Sequence, residues 1–321
     1  MERVLVTGAT GFVGSNLVKA AEDKYEVIPT SLHPFDAINR SVHVMDVGSK
    51  EACQKVINAA KPDLVVHCAA YLDLVGCERK NAQARAVNVA GTINVARACK
   101  STGAVLVFVS TDWVFDGTKP FGQLYSERDR PSPVNGYGEL KLESETALRK
   151  ESIDWAVVRP ANIYGCNFMV PRDVADRTAH FEQRGSWALK QVLKLKRLDR
   201  TKLPDDLYQT PTYVGSLANT ILQIYEKSLT GIFHVSGRQC SSRYEFAKEL
   251  AREFELEESL VSKGDADDFA RSLNLEVPIR FPRNVCLDVG KIEHAAGTTM
   301  LNIRDGLRLM REDMEKLEAQ S

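Results

Sequence analysis

Val4-Leu5-Val6-Thr7-Gly8-Ala9-Thr10-Gly11-Phe12-Val13-Gly14 is the stretch from which the rest of the chain is read. A short apolar strand runs straight into G-x-x-G-x-x-G, and a helix is expected from about Ser15 to Asp23. Glycines let a backbone approach a pyrophosphate, and a helix N-terminus offers free N–H groups and a positive dipole end. The stretch reads as a dinucleotide-binding turn at the start of an α/β chain, with Gly8, Gly11 and Gly14 as its glycines. A glycine-rich turn without a ligand is the plain alternative.

Working outward, a second strand is expected over Tyr25–Pro29, ending at Thr30-Ser31. An NAD-preferring fold usually carries Asp or Glu there to bond the adenosine ribose. The absence of an acid tilts the choice of cofactor to NADP, with NAD left open. His33 or Arg40 could face a 2′-phosphate, or both could be solvated. A third strand, Val42–Met45, ends at Asp46, which could accept from an adenine amino group or cap the helix Lys50–Ala60. The strand Leu64–Cys68 ends in Ala69-Ala70, small enough for a cofactor to pass where open α/β sheets bind ligands. A long helix, Asn81–Thr102, contains Asn88, which either marks a kink near a site or is an exposed polar residue.

The strand Val105–Val109 delivers Ser110-Thr111-Asp112, and Trp113–Pro133 is expected to be irregular surface. Then comes Asn135-Gly136-Tyr137-Gly138-Glu139-Leu140-Lys141, with helix expected from Lys141 to Glu151. Residues i and i+4 share a helix face. A phenol and an ammonium would therefore lie side by side. A neighbouring cation lowers a tyrosine pKa, and such a tyrosine can exchange a proton with an alcohol near neutral pH. A strand at Ile153–Val158 follows.

Beyond Cys166 the pattern changes. Phe168–Arg172 reads as a loop, and Asp173–Leu198 as helical in parts. The basic residues Lys190, Lys194, Lys196, Arg197, Arg200 and Lys202 would form a solvated face or receive an anionic substrate. Gln209-Thr210-Pro211-Thr212 reads as extended. Helix Val214–Ser228, strand Gly231–Val235, a helix opened by Ser242 and a final helix Ile303–Leu317 complete the chain.

The 321 residues suffice for a large α/β domain with an appendage, or for two domains. Forty-two Lys and Arg nearly balance 43 Asp and Glu, so neither a nucleic-acid nor an anionic-membrane partner is indicated. The apolar runs are too short to span a bilayer, and the turn at Gly8 leaves no room for a secretory leader, so a cytoplasmic setting is expected. The seven cysteines are scattered and lack C-x-x-C, and the six histidines lack ligand spacing. Free buried thiols and no metal site are expected.

Three motifs together resemble those of extended short-chain dehydrogenases/reductases: Thr7–Gly14, Ser110-Thr111-Asp112-Trp113-Val114-Phe115-Asp116-Gly117, and Tyr137-Gly138-Glu139-Leu140-Lys141. Within them the chain is most similar to the dTDP-4-dehydrorhamnose reductase group, which includes the regulatory β subunit of methionine adenosyltransferase. Phe233–Gly237 with Ser242–Ala247, and Pro282-Arg283-Asn284 with Leu287-Asp288, are similar to the group's C-terminal motifs. The resemblance implies an α/β, doubly wound parallel Rossmann sheet with a smaller C-terminal α/β substrate domain. The cofactor domain would span 1–165, with about 212–235 rejoining it, and the substrate region 166–211 and 236–321.

The resemblance also implies roles. Tyr137 would be the acid/base, Lys141 would lower its pKa and hold the nicotinamide ribose, and Thr111 (or Ser110) would bond the substrate oxygen. Gly11, Phe12, Val13, Asp46, Val47, Ala69, Ala70 and Tyr71 would line the cofactor. Thr111, Asp112 and Asn162 would face the substrate, and Asn88 would help place Lys141. The implied activity is NAD(P)H-dependent reduction of a nucleotide-linked keto-sugar, with a homodimer left open. An epimerase or dehydratase of the same fold and a non-catalytic NADP-binding subunit are the alternatives. The chain departs from the group at Trp113, where Tyr is usual, at Asn162, where some members carry Trp, and at Thr210, which replaces Gly.

Overall fold

The structure, a computed structural model, describes residues 1–37, 40–169 and 186–319. The main elements in chain order are β1 (Arg3–Thr7), α1 (Phe12–Ala21), β2 (Glu26–Ser31), β3 (His43–Val44), α2 (Lys50–Ala60), β4 (Leu64–His67), α3 (Gly91–Thr102), β5 (Val105–Val109), α4 (Gly136–Leu148), β6 (Trp155–Arg159), α5 (Trp187–Lys196), α6 (Val214–Glu226), β7 (Gly231–His234), α7 (Arg243–Glu253) and α8 (Ile303–Ala319). Seven strands form one parallel sheet in the order β7-β6-β5-β4-β1-β2-β3. The order reverses between β1 and β4, and ligands of open α/β sheets bind at such a switch point.

The strands are apolar on both faces because helices cover both. Val4, Val6, Val66, Val107 and Val109 point to one side, against Leu17 and Val18 of α1 and Leu217 and Ile221 of α6. The alternate residues Leu5, Val65, Leu106 and Phe108 point to the other, against Cys53 and Ile57 of α2 and Val95 and Cys99 of α3. Period-two alternation within near-continuous apolar runs is what two covered faces require.

A second core lies outside the sheet. Leu189, Val192 and Leu195 of α5 pack with Phe246 and Leu250 of α7 and with Leu307 and Met310 of α8. A short parallel pair, Thr201–Pro204 with Val261–Gly264, borders it. Ser242 opens α7, as expected, and does so through a capping box: Ser242 Oγ accepts from the Glu245 amide at 3.0 Å and Glu245 accepts from the Ser242 amide at 2.8 Å. The part of the expected Asp173–Leu198 helix before Ser186 lies outside the described residues, as does the end of the Phe168–Arg172 loop.

Three sequence expectations need correction. The Asn81–Thr102 helix is not uniform: Ala82–Arg85 is α-helical, Ala86–Ala90 forms a π-helical turn, and α3 follows. The stretch Trp113–Pro133 is not all surface. Val114, Phe115 and Tyr125 are buried with Ala161, Val285 and Leu287, and the Phe115 and Tyr125 rings stack at 4.4 Å. Their apolar side chains are separated in sequence by charged and turn residues, so no periodicity marks them.

The third correction concerns the cysteines. Cys240 and Cys286 are disulfide-bonded with their Cα atoms 5.5 Å apart, while Cys53, Cys68, Cys77, Cys99 and Cys166 are free. The bridge joins the loop after β7 to the segment that meets Tyr125, whose amide donates to the Cys286 carbonyl at 2.8 Å. Only tertiary packing brings the two residues together, which is why their spacing gave no sign of it. Alkylation of the denatured protein without reductant is expected to label five thiols, and with reductant all seven. Mass spectrometry reads the difference, and seven labels without reductant would refute the bridge.

Candidate active site

A cleft of about 400 Å³ opens at the carboxyl ends of the strands around the switch point. The glycine turn forms one wall, through Gly8, Gly11, Phe12, Val13 and Gly14. The turn is tight: a Cβ on Gly14 would sit 2.2 Å from the Gly8 carbonyl oxygen, and Gly8 itself has φ +64°. Gly11 caps α1 with no side-chain hydrogen bond to its first amides, leaving them for a ligand. Asp46 and Val47 form a second wall, and Ala69 and Ala70 a third. Asp46 Oδ1 accepts from the Gly48 amide at 2.8 Å, so its local role is to cap a turn.

Sequence reading missed Leu32, Met45, Leu72, Val87 and Ile163, which also line the cleft. They are single apolar residues in loops, short strands and, for Val87, the Ala86–Ala90 turn, and carry no motif. Strand β2 runs two residues past its expected end and brings Ser31 into the cleft. Ser31 Oγ donates to the His33 carbonyl at 2.6 Å. The side chain of Arg40 lies outside the described residues.

The floor of the cleft is α4. Helix begins at Gly136 rather than Lys141, so Tyr137 and Lys141 stand on consecutive turns of one helix, and both line the cleft. The two glycines around Tyr137 permit close approach. A Cβ on Gly136 would lie 2.3 Å from the Cys77 carbonyl oxygen, and one on Gly138 would lie 2.2 Å from that of Trp113. Asn135 caps the helix by accepting from the Gly138 amide at 2.9 Å.

The expected effect of Lys141 on Tyr137 is not what the geometry gives. Lys141 Nζ donates to the Val109 carbonyl at 2.6 Å and lies 4.1 Å above the Phe108 ring. Burial brings the ammonium down to about 8. Burial, then Asp112 and Cys77, push the Tyr137 phenol above its ordinary value. The phenol is therefore held protonated, as a proton donor requires.

Adjacent hydroxyls at the end of β5 face different ways. Ser110 lines the cleft and donates to Glu145 Oε1 at 2.5 Å. Thr111 does not line it; its hydroxyl donates to Asp112 Oδ1 at 3.0 Å and accepts from the Trp113 amide at 3.2 Å. Asp112 Oδ2 accepts from the Gln209 amide side chain at 3.1 Å. Burial raises the Asp112 carboxyl to about 7, against the lowering by these hydrogen bonds and by Arg243. Asn162 lies outside the cleft lining, half-buried with φ +39°, a left-handed conformation that Asn tolerates.

Tyr71 is outside the lining too, but Asn88 ties it to the site. Asn88 is buried within the π-helical turn, which decides between the kink and the exposed residue left open by sequence. Its side chain accepts from the Tyr71 amide at 2.9 Å and donates to the Tyr71 carbonyl at 3.1 Å. Its carbonyl lies 2.7 Å from the hydroxyls of both Thr92 and Ser144. Ser144 is on α4, so Asn88 braces the loop after β4 and the helix of Tyr137 together. A π-turn leaves carbonyls outside the regular ladder, often at functional sites.

Sequence reading also missed Glu145 and Arg159. Glu145 is four residues beyond Lys141 and could have been found by that spacing. It accepts from Arg159 Nε at 2.9 Å and Nη2 at 2.6 Å, and both side chains are almost wholly buried.

A parallel doubly wound sheet, a glycine turn and a Tyr-x-x-x-Lys helix in one cleft define an extended short-chain dehydrogenase/reductase. The chain belongs to the RmlD substrate binding domain family, whose profile matches residues 1–316. It is 30% identical over 306 residues to the probable low-salt glycan biosynthesis reductase Agl14 of Haloferax volcanii, covering 94% of this chain and 95% of that protein. It is 30% identical over 265 residues to methionine adenosyltransferase 2 subunit beta of Rattus norvegicus, covering 80% and 73%. The crystal structure of dTDP-4-dehydrorhamnose reductase from Bacillus anthracis str. Ames in complex with NADP superposes with a TM-score of 0.81 at 25% identity, over 97% of this chain and 99% of that one.

Two outcomes follow from the buried groups. Glu145→Gln leaves the Arg159 charge buried and unneutralised, and is expected to cost about 3–5 kcal/mol in denaturant unfolding. Loss below about 1 kcal/mol would contradict the geometry. For Asp112, the carboxyl rises from an ordinary 3.8 to about 7, so the folded state binds more protons between those values. Its favourable contribution is complete below the lower value and lost as pH rises through about 7. Asp112→Asn is thus expected to gain on the wild type in urea midpoint between pH 5 and pH 8; a constant difference would refute the shift.

Proposed function

We propose that this protein is an NAD(P)H-dependent reductase of a nucleotide-linked keto-sugar, of the dTDP-4-dehydrorhamnose reductase kind, with NADP as cofactor and NAD left open. The observation that carries the reading is the placement of Tyr137 and Lys141 on one helix at the floor of the cleft bounded by the glycine turn. The uncapped amides of α1 fit a pyrophosphate, and β2 ends at Ser31 without a carboxylate to repel a 2′-phosphate.

When bound, the cofactor supplies the hydride. Tyr137, held protonated, gives its proton to the carbonyl oxygen of the sugar. The Lys141 ammonium, anchored on the Val109 carbonyl, keeps further N–H groups for the ribose hydroxyls. Thr111, by turning its hydroxyl proton from Asp112 to the substrate oxygen, would polarise that oxygen, and Asp112 and Asn162 would stand on the substrate side. Phe12, Val13, Asp46, Val47, Ala69, Ala70 and Tyr71 complete the cofactor contacts. In this reading 1–165 with about 212–235 holds the cofactor, and 166–211 with 236–321 holds the sugar.

We further propose a cytoplasmic setting, with a homodimer as the assembly to test. The five free thiols accord with that setting, and the Cys240–Cys286 bridge stands against it. Among the described residues no helix is long and apolar enough to cross a membrane.

A second reading, a cofactor-binding regulatory subunit, is favoured by the likeness to methionine adenosyltransferase 2 subunit beta. The two part in one assay: loss of NADPH absorbance with dTDP-4-keto-6-deoxyhexose. The reductase reading expects turnover, and Tyr137→Phe is expected to lower kcat by ~10²–10⁴-fold. NADPH binding with no turnover on any nucleotide keto-sugar would favour the regulatory reading. Turnover that survives Tyr137→Phe within a few-fold would remove Tyr137 from its role.

A further inference from the structure

Outside the cleft lining, within electrostatic reach of Asp112, stands a cation with no salt bridge among the described residues. Arg243 opens α7, and its guanidinium lies beside the rings of Trp187, 5.1 Å to the centroid, and Phe269, 5.0 Å. Its Nε–H is buried without a hydrogen-bond partner, and among the described residues its side chain makes no salt bridge. Burial lowers the guanidinium to about 10, so it stays charged at neutral pH.

Two neighbouring atoms share the condition. Gln209 Oε1 and Ser241 Oγ are buried and lack partners. Gln209 and Ser241 face each other across the antiparallel pair Tyr208–Gln209 and Ser241–Ser242, and Ser242 directly precedes Arg243. Gln209 gives its amide to Asp112, so the group is continuous with the carboxyl beside Thr111.

A buried polar atom without a partner is destabilising. Most are satisfied in folded proteins, so three on one short strand pair and the residue that follows it call for an explanation. Water could satisfy the two oxygens, but a buried guanidinium beside two rings is a more particular device. A guanidinium is planar and presents paired N–H groups that match two oxygens of a phosphate. Asp112 is the carboxyl that Arg243 feels, and near neutrality it is only partly ionised. A negative ligand supplies the missing counter-charge. Ser241 can donate to a second phosphate oxygen, and Gln209 Oε1 can accept from a sugar hydroxyl.

We propose that Arg243, beside Trp187 and Phe269 and flanked by Ser241 and Gln209, is the diphosphate-recognition site for the nucleotide-linked substrate. The identity of the ligand rests on the reductase reading, since the diphosphate is the obligatory anion of such a sugar. Of the exposed basic residues of 190–202, Lys202 is already paired with Asp268 at the surface.

Calorimetric titration of the full chain with dTDP, UDP and GDP, with and without NADPH, tests this. Thymidine serves as the phosphate-free control. The wild type is expected to bind at least one diphosphate, and dTDP more tightly than thymidine. Arg243→Gln is expected to weaken that binding by roughly 10- to 100-fold, the range of a hydrogen bond to a charged group, while NADPH affinity stays unchanged. Arg243→Lys, which keeps charge but loses the fork, and Ser241→Ala are expected to fall between; they stand in if Arg243→Gln does not fold. Diphosphate affinity within two-fold of wild type in the folded variants would overturn the proposal, as would a wild type that binds no diphosphate. If a diphosphate binds through Arg243 but no keto-sugar is reduced, the reductase reading fails and the site stands.

Discussion

The buried pair of Glu145 and Arg159 is the interaction on which the site depends. It fastens α4, which carries Tyr137 and Lys141, to β6, and through Ser110 it reaches the end of β5. Replacing such a pair by apolar side chains of similar volume is often neutral for stability. Its evident use here is positional. Three chain segments that meet only in the folded protein are brought to one carboxylate, and the helix cannot slide along the sheet without breaking all three bonds. Lys141, one turn back, takes its own bearing from the Val109 carbonyl of the same strand.

The cleft and its surroundings are built differently. The cleft wall is largely apolar and backbone: glycines, small residues and the free end of α1. Outside the lining, beyond Ser110, lies a polar set of side chains: Thr111, Asp112 and Gln209. Ser110 and Thr111 are neighbours in sequence, yet one hydroxyl serves the helix below and the other the carboxyl beside it. A strand that alternates its faces divides the cleft wall from this polar set within a single dipeptide.

That division explains what could be read from the chain. The sheet was legible because covered parallel strands are near-continuous apolar runs, as in Leu64–His67 and Val105–Val109. The glycine turn and the Tyr137–Lys141 spacing were legible because local geometry imposes them. The helix start at Gly136 was misplaced because the glycines there suit close packing rather than helix propensity. Gln209 was visible only as part of an extended segment, since its contact with Asp112 spans 97 residues of chain. Cys240 and Cys286 had no local signal at all. The Tyr137 pKa went the wrong way in sequence reading because spacing gives proximity, whereas burial and the competing Val109 carbonyl are properties of the fold.

The π-helical turn at Ala86–Ala90 has a consequence for how this chain can change length. Such a turn holds one residue more than an α-helix would over the same rise. Deleting a residue there would let the helix become regular, which by local criteria is an improvement. It would also remove the widened turn that presents Asn88, although the later residues of α3 would stay near their places. Asn88 could no longer clasp Tyr71 with its side chain and meet Ser144 with its carbonyl. The irregularity therefore works as a spacer that keeps the cofactor loop and the tyrosine helix in register, and a shortened chain would be better helix and worse enzyme.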